Sequence, residues 1–270
     1  MFRGFFDECN RNPEDVRFIM AGWTANVEEW ERFTEAWQTC LSTEPSIEYF
    51  KSSEANSLSD QFYKFSSSDR DAKVLALSKV IASHDVRGYI ALAEHNLLAN
   101  RPTELKKLIG TYMGTRIYDW AFIAIICKVV TDFLDRGFRS EKIDFIFDAC
   151  SELRTCIASY ERERDGNFSP SMCQICGEAI PGDDKCLAGL QAADLLAGEH
   201  SQYLRTNMKG APYMEIENAK VPIFAFPAQP PKELIERFMQ YAQDVAQRHN
   251  LVQATVKVLK ENGINLNDFK

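Results

Sequence analysis

The chain has 270 residues, 45% of them hydrophobic, with a formal net charge of -8 and a pI near 5.2. That supports one large α/β domain, or a domain with additions, and argues against a generally sticky nucleic-acid binder; an enzyme with a local basic groove beside an acidic metal site is still allowed. Eight cysteines in a chain this long do not read as a disulfide scaffold, so a reducing compartment, the cytoplasm, is expected.

Residues 1–6 form a short apolar run ending in Asp7-Glu8, read as a strand whose terminal carboxylate projects at the sheet edge. Those acids also interrupt the start before an apolar leader core forms, so no secretory leader is expected. Residues 16–25 read as a second strand after the Asn10-Arg11-Asn12-Pro13 turn signal, giving a hairpin. Asn26 is placed to cap a helix over 27–41, with Val27, Trp30, Phe33 and Trp37 on one stripe.

Residues 46–51 suggest a third strand, and 52–68 a Ser-rich surface excursion with room for a short helix. A helix beginning at Asp69 or Asp71 runs to Ser83, a strand covers 86–93, and Pro102 opens a helix through Ile109. The long helix over 117–136 contains the strongest apolar run, 120–130, which Lys128 interrupts; it is too short to span a bilayer. Residues 142–148 repeat the N-terminal design, an apolar strand ending in Asp148, followed by a helix over 151–162 and a charged loop over 161–170. Residues 172–180 read as a final strand, 181–184 as a turn, 207–231 as irregular, and 234–249 and 252–262 as closing helices. Early strands with short links and later strands joined by helices predict a mixed sheet flanked by helices, with a helical C-terminal extension. A domain over 1–206, with inserted helices and loops, is expected to carry 207–270 packed on it.

The stretch Leu190-Gln191-Ala192-Ala193-Asp194-Leu195-Leu196-Ala197-Gly198 stands out. As a helix it is apolar nearly all round and therefore interior, so the carboxylate of Asp194 needs compensation: a donor, a cation, or a metal shared with other carboxylates. Asp7 and Asp148, each ending a strand, converge on Asp194 if the two strands are neighbours and the helix crosses their ends. Clustered buried carboxylates repel one another and call for protons or cations. Oxygen ligands suit Mg²⁺ or Mn²⁺, and two such ions about 4 Å apart activate water and stabilise a leaving oxygen in phosphodiester cleavage. Glu8 points opposite to Asp7 in a regular strand and is the weaker candidate.

These marks, Phe6-Asp7-Glu8-Cys9, Ala21-Gly22 with Trp30 and Trp37, Phe147-Asp148, and the 191–197 run, resemble in order a bacterial family of unknown function within the RNase H-like superfamily. The resemblance implies an RNase H-like α/β fold and a divalent-metal-dependent nuclease. It would use Mg²⁺ or Mn²⁺ on DNA or RNA, with Asp7, Asp148 and Asp194 as catalytic residues and metal ligands and Glu8 as a further ligand; no organic cofactor is expected. The chain departs from the family pattern at Cys9, where Ser is usual, at Asn10, where Gly is common, and at Ala149, where a further acid often follows.

The remaining signals are weaker. Lys185 and His200 read better as surface residues than as phosphate ligand and proton shuttle, and Asp183, Asp184 and Glu199 as solvated acids. Two other function classes stand beside the nuclease. One is a catalytically inactive RNase H-like interaction protein whose carboxylates are held by Arg or Lys. The other is a zinc module on Cys173, Cys176 and Cys186, for which a fourth ligand at a convincing spacing is lacking. Nucleic acid is the expected partner and no membrane is; homodimer and protein partner stay open.

Overall fold

Alternation along the first strand sets the layout, because neighbouring apolar side chains leave opposite faces of the sheet. The computed structural model describes residues 1–12, 14–15, 17–95, 116–166 and 168–227. The chain divides into two compact units, Met1–Asn100 with Tyr112–Gln229, and Arg101–Thr111 with Pro230–Lys270. Every element below belongs to the first. The second lies outside the described residues, as do the helices expected over 102–109, 234–249 and 252–262.

Strand β1 (Phe2–Cys9) pairs antiparallel with β2 (Phe18–Asn26), and β2 antiparallel with β3 (Arg87–Ala93). On its other edge β1 runs parallel to β4 (Ile143–Asp148), with Phe6 beside Phe147. Strand β5 (Cys176–Gly182) continues parallel to β4, and β6 (Ile223–Pro227) parallel to β3. The order is β5-β4-β1-β2-β3-β6, a mixed six-stranded sheet, and the fold class is α/β.

Each face carries its own apolar layer. On the first, Phe5, Ala21, Trp23 and Ile146 pack with α1 (Val27–Ser42), α3 (Ser67–Ala82) and α7 (Ala188–Thr206). On the second, Phe6, Met20, Phe145 and Phe147 pack with α4 (Ile117–Asp135) and α5 (Leu153–Gly166). The expected cap is formed: the Asn26 side chain accepts the Glu29 N–H at 2.8 Å. At the other end of α1, buried Lys73 donates to the Cys40 and Thr43 carbonyls at 2.8 and 2.6 Å, serving groups that a helix end leaves without partners.

Three expectations change. Residues 46–51 form no strand, because their donors go elsewhere: Ile47 N–H to the Leu41 carbonyl at 3.0 Å, Glu48 N–H to Gln61 Oε1 at 2.8 Å and Phe50 N–H to Gln191 Oε1 at 3.1 Å. The short helix α2 (Ser52–Ser57) follows. Residues 172–180 are not one strand. Ser169 caps and Pro170 opens α6 (Pro170–Ile175), so Cys173 is helical and β5 begins only at Cys176. The described part of the 207–231 stretch is not irregular: Pro212 sits in the first turn of α8 (Ala211–Asn218), Ile216 is buried, and β6 adds an edge strand. Helix α5 also runs into the expected charged loop. Among the described residues no helix is long and apolar enough to cross a membrane.

Candidate functional site

Strand parity brings the predicted carboxylates to one side. Asp7 shares its face with Phe5, and Asp148 shares its face with Ile146, both part of the apolar layer under α7. The parallel register that sets Phe6 beside Phe147 makes Asp7 and Asp148 the next pair along. Helix α7 packs across β1 and β2, anchored where the Trp23 indole N–H donates to the Ala192 carbonyl at 2.9 Å. Asp194 follows two residues later on that helix.

The consequence is repulsion at Asp7. Burial pushes the Asp7 carboxyl well above the ordinary carboxylate range, and the charges of Asp194, Glu8 and Asp148 push it further. Burial raises Asp194 to about 6, against the opposing effects of the Ser52 N–H and Lys51. Asp148 is raised by burial and then by Asp184, with Lys51 opposing. Asp7 therefore feels the charges of both Asp194 and Asp148, while Asp194 and Asp148 each feel Asp184 and Lys51.

Glu8 faces the other way. Its carboxylate pairs with Arg11, whose guanidinium also reaches Glu152 at 3.5 Å and lies over the Tyr118 ring. Burial raises the Glu8 carboxyl, and Arg11 is the main opposing influence. Glu8 is thus held by a neighbouring arginine on the α4 side of the sheet.

Sequence reasoning missed three residues. Lys51 pairs with Asp184, which is buried rather than solvated. Burial works against the Lys51 ammonium, but Asp184, then Asp194 and Asp148, outweigh it and hold it charged. Ser52 donates its backbone N–H to Asp194 Oδ2 at 2.6 Å and its hydroxyl to the Asp194 carbonyl at 3.0 Å. Gln191 fixes the segment that carries both, its Oε1 accepting from the Trp37 indole N–H at 2.8 Å and from the Phe50 N–H at 3.1 Å. The one available signal was the polar Gln191 inside an otherwise apolar helix.

The other singled-out residues fall outside this cluster. Lys185 is exposed, its ammonium 5.0 Å from the centre of the Tyr49 ring. His200 is buried, not on the surface, with Nδ1 3.2 Å from the Tyr213 hydroxyl. Glu199 Oε2 is likewise buried. Cys9 donates its thiol to the Ala197 carbonyl at 3.4 Å, and burial beside Asp194 and Asp7 pushes it up, so it stays protonated. Asn10 adopts φ of 59° and accepts from the Ser201 hydroxyl at 2.9 Å. Cys173, Cys176 and Cys186 are free thiols.

Asp7, raised by Asp194 and Asp148, and those two carboxylates are oxygen donors suited in kind to a hard divalent cation. Their arrangement is that of a site already neutralised in part by Lys51. Among the described residues no group of three or more His, Cys, Asp or Glu side chains is disposed to hold a metal ion. No protein-family model matches the chain, and no curated protein matches it.

Proposed function

We propose that the chain is a divalent-metal-dependent nuclease of RNase H-like fold, hydrolysing phosphodiesters of DNA or RNA, with Asp7, Asp148 and Asp194 holding Mg²⁺ or Mn²⁺. The observation that carries this reading is the repulsion centred on Asp7, to which Asp194 and Asp148 both contribute. Such a cluster is costly to fold unless something else is gained by it. The antiparallel β1–β2–β3 meander, continued by parallel β4 and β5, supports the RNase H-like part.

A bound divalent ion would supply a Lewis acid for a phosphoryl oxygen and lower the pKa of a ligated water. The chain's own residues prepare the place. Strand ends β1 and β4 hold Asp7 and Asp148 on rigid backbone. Ser52 engages one Asp194 oxygen and orients the carboxylate. Lys51 contributes a positive charge beside the cluster, placed to meet a phosphate oxygen, and Asp184 orients it.

The test is thermal stability of the wild type and of Asp148→Asn, first with chelator and then with Mn²⁺. Ligand binding to the folded state should raise the wild-type Tm by mass action. The Asn variant should lose most of that response and be more stable than the wild type in chelator, because repulsion is relieved. Metal-dependent cleavage in a screen of single- and double-stranded DNA and RNA should disappear with the same substitution. Absence of any Mn²⁺ response in the wild type rejects the nuclease.

A second reading rests on Lys51. Its ammonium already compensates Asp184, Asp194 and Asp148, as expected for an RNase H-like interaction protein that needs no metal. The departures at Cys9, Asn10 and Ala149 favour it as well. It predicts that neither protein responds to Mn²⁺.

A further inference from the structure

A cavity of about 410 Å³ borders the carboxylate cluster. Ser52, which holds Asp194, lines it, and so does Leu195, the next residue on α7. Its volume falls within the roughly 300–1,000 Å³ of small-molecule pockets. The walls divide by chemistry, with Leu75 and Leu195 apolar and Asn56, Glu199 and Gln202 polar.

The polar groups are only partly committed: the Tyr213 backbone N–H donates to the Glu199 carboxyl. Glu199 Oε2 is buried with no hydrogen-bond partner among the described residues, and a buried carboxyl oxygen left that way is costly. Gly210 lies against it so closely that a Cβ there would come within 2.8 Å of Oε2. The side-chain amides of Asn56 and Gln202, both exposed, make no hydrogen bond among the described residues. The two full charges nearby are spent on each other: Arg70 donates to Asp71 Oδ1 at 2.5 Å and to the Ala55 carbonyl at 3.1 Å. Burial raises Glu199 to about 7, so near neutrality it both accepts and donates.

One carboxyl oxygen and two amides beside apolar walls match a flat, uncharged, N–H-bearing heterocycle. Amides pair with a ring nitrogen and an exocyclic amine, and a carboxylate accepts from an amine or imine N–H. A zwitterionic amino acid would need free charges of both signs, which the Arg70–Asp71 pair withholds. A sugar would leave the apolar walls facing hydroxyls.

We propose that this cavity binds a nucleobase, as part of a nucleoside or nucleotide, with Glu199 accepting from its N–H edge and Asn56 and Gln202 completing the edge contacts. The inference deepens the nuclease reading and rests on it for its purpose: Ser52, which lines the cavity, also holds Asp194.

Its test does not depend on cleavage. The full chain, in chelator, is titrated with each of the common nucleosides and followed by saturation-transfer NMR and calorimetry. At least one should bind saturably. Glu199→Leu, which removes the acceptor oxygen, should weaken it about tenfold or more, the scale of one lost base-edge contact. Gln202→Leu, at an exposed position, should weaken it less, and Leu75→Trp, which fills the cavity, should abolish it. Should Leu75→Trp fail to fold, the Glu199 and Gln202 variants decide. No saturable binding of any nucleoside at millimolar concentration, or equal binding by wild type, Glu199→Leu and Gln202→Leu, overturns the proposal. Nucleoside binding without a Mn²⁺ response would remove the nuclease reading alone. A Mn²⁺ response without nucleoside binding would remove this one alone.

Discussion

The backbone N–H of Ser52 donates to Asp194 Oδ2 over 2.6 Å, joining the start of α2 to the middle of α7. The contact is charge-assisted, and such bonds are roughly twice as strong as neutral ones. Ser52→Ala retains it and loses only the hydroxyl bond to the Asp194 carbonyl, an expected cost of about 0.5–1.5 kcal/mol. Ser52→Pro removes the N–H and puts a ring carbon against the carboxylate. It should cost more, about 2–4 kcal/mol, even though proline suits the first turn of a helix. Urea denaturation of the two variants checks the order; equal costs would show that the Asp194 contact is energetically idle.

Lys51 and a divalent ion should compete for the same repulsion. Lys51→Met removes the internal cation beside Asp184, Asp194 and Asp148. Because the ammonium is partly exposed, solvent screens its contribution, and the loss in chelator should be only about 1–2 kcal/mol. If the carboxylates bind metal, the Mn²⁺-induced rise in Tm should be larger in this variant than in the wild type. A smaller rise would mean that Lys51 assists the metal rather than substituting for it.

Gln191 is buried, and its Oε1 serves two donors, the Trp37 indole and the Phe50 backbone. Gln191→Leu matches the apolar helix around it yet leaves both donors unpaired. The expected destabilisation is about 2–6 kcal/mol, since each of the two unsatisfied buried groups costs about 1–3. Hydrogen exchange should show the Phe50 amide losing protection first. A Leu variant as stable as wild type would mean that the segment repacks freely.

The neighbours Glu199 and His200 should give the fold opposite responses to pH. Burial raises Glu199 from 4.5 to about 7, so its protonated form suits the fold. Its contribution is fully present below about pH 4.5 and is lost as pH rises towards 7. Relative to wild type, Glu199→Gln should gain stability across that window, on the order of 1–3 kcal/mol after allowing for partial exposure.

His200 is lowered from 6.5 to about 4 by burial and then by Lys209, so its neutral form suits the fold. Its contribution is present above about pH 6.5 and is lost as pH falls towards 4. His200→Phe should gain stability relative to wild type as pH falls. Difference curves of unfolding free energy against pH isolate each group, and two slopes of the same sign would contradict the assignment.

Much of the site could be read directly from residue order. A run such as Ile143-Asp144-Phe145-Ile146-Phe147-Asp148 reads as a strand because β-rich apolar residues end at a charge, and the period of two puts Asp148 with Ile146. The same logic set Asp7 against Glu8, and the two do diverge, Glu8 towards Arg11. The Asn26 cap and the α1 stripe were legible for local reasons too.

Residues 46–51 misled because a short alternating run looks like a strand whichever acceptors its N–H groups meet; here they include Gln61 and Gln191, distant in sequence. Asp184 looked solvated because a Pro-Gly-Asp-Asp turn normally is, and only Lys51, 133 positions away, makes it a buried partner. Cys173 looked like strand because of the apolar residues around it; the Ser169–Pro170 helix start lay inside what read as a charged loop.

By itself the sequence determined the α/β class, the strand ends that carry Asp7 and Asp148, and the interior helix that carries Asp194. Those depend on periodicity and on the cost of burying charge, which neighbouring residues settle. Only the tertiary structure decided which cation answers those carboxylates, which amide braces the loop, and that a cavity with an unpaired Glu199 oxygen adjoins them. Those are meetings between distant segments, and no local pattern encodes a partner more than a hundred residues away.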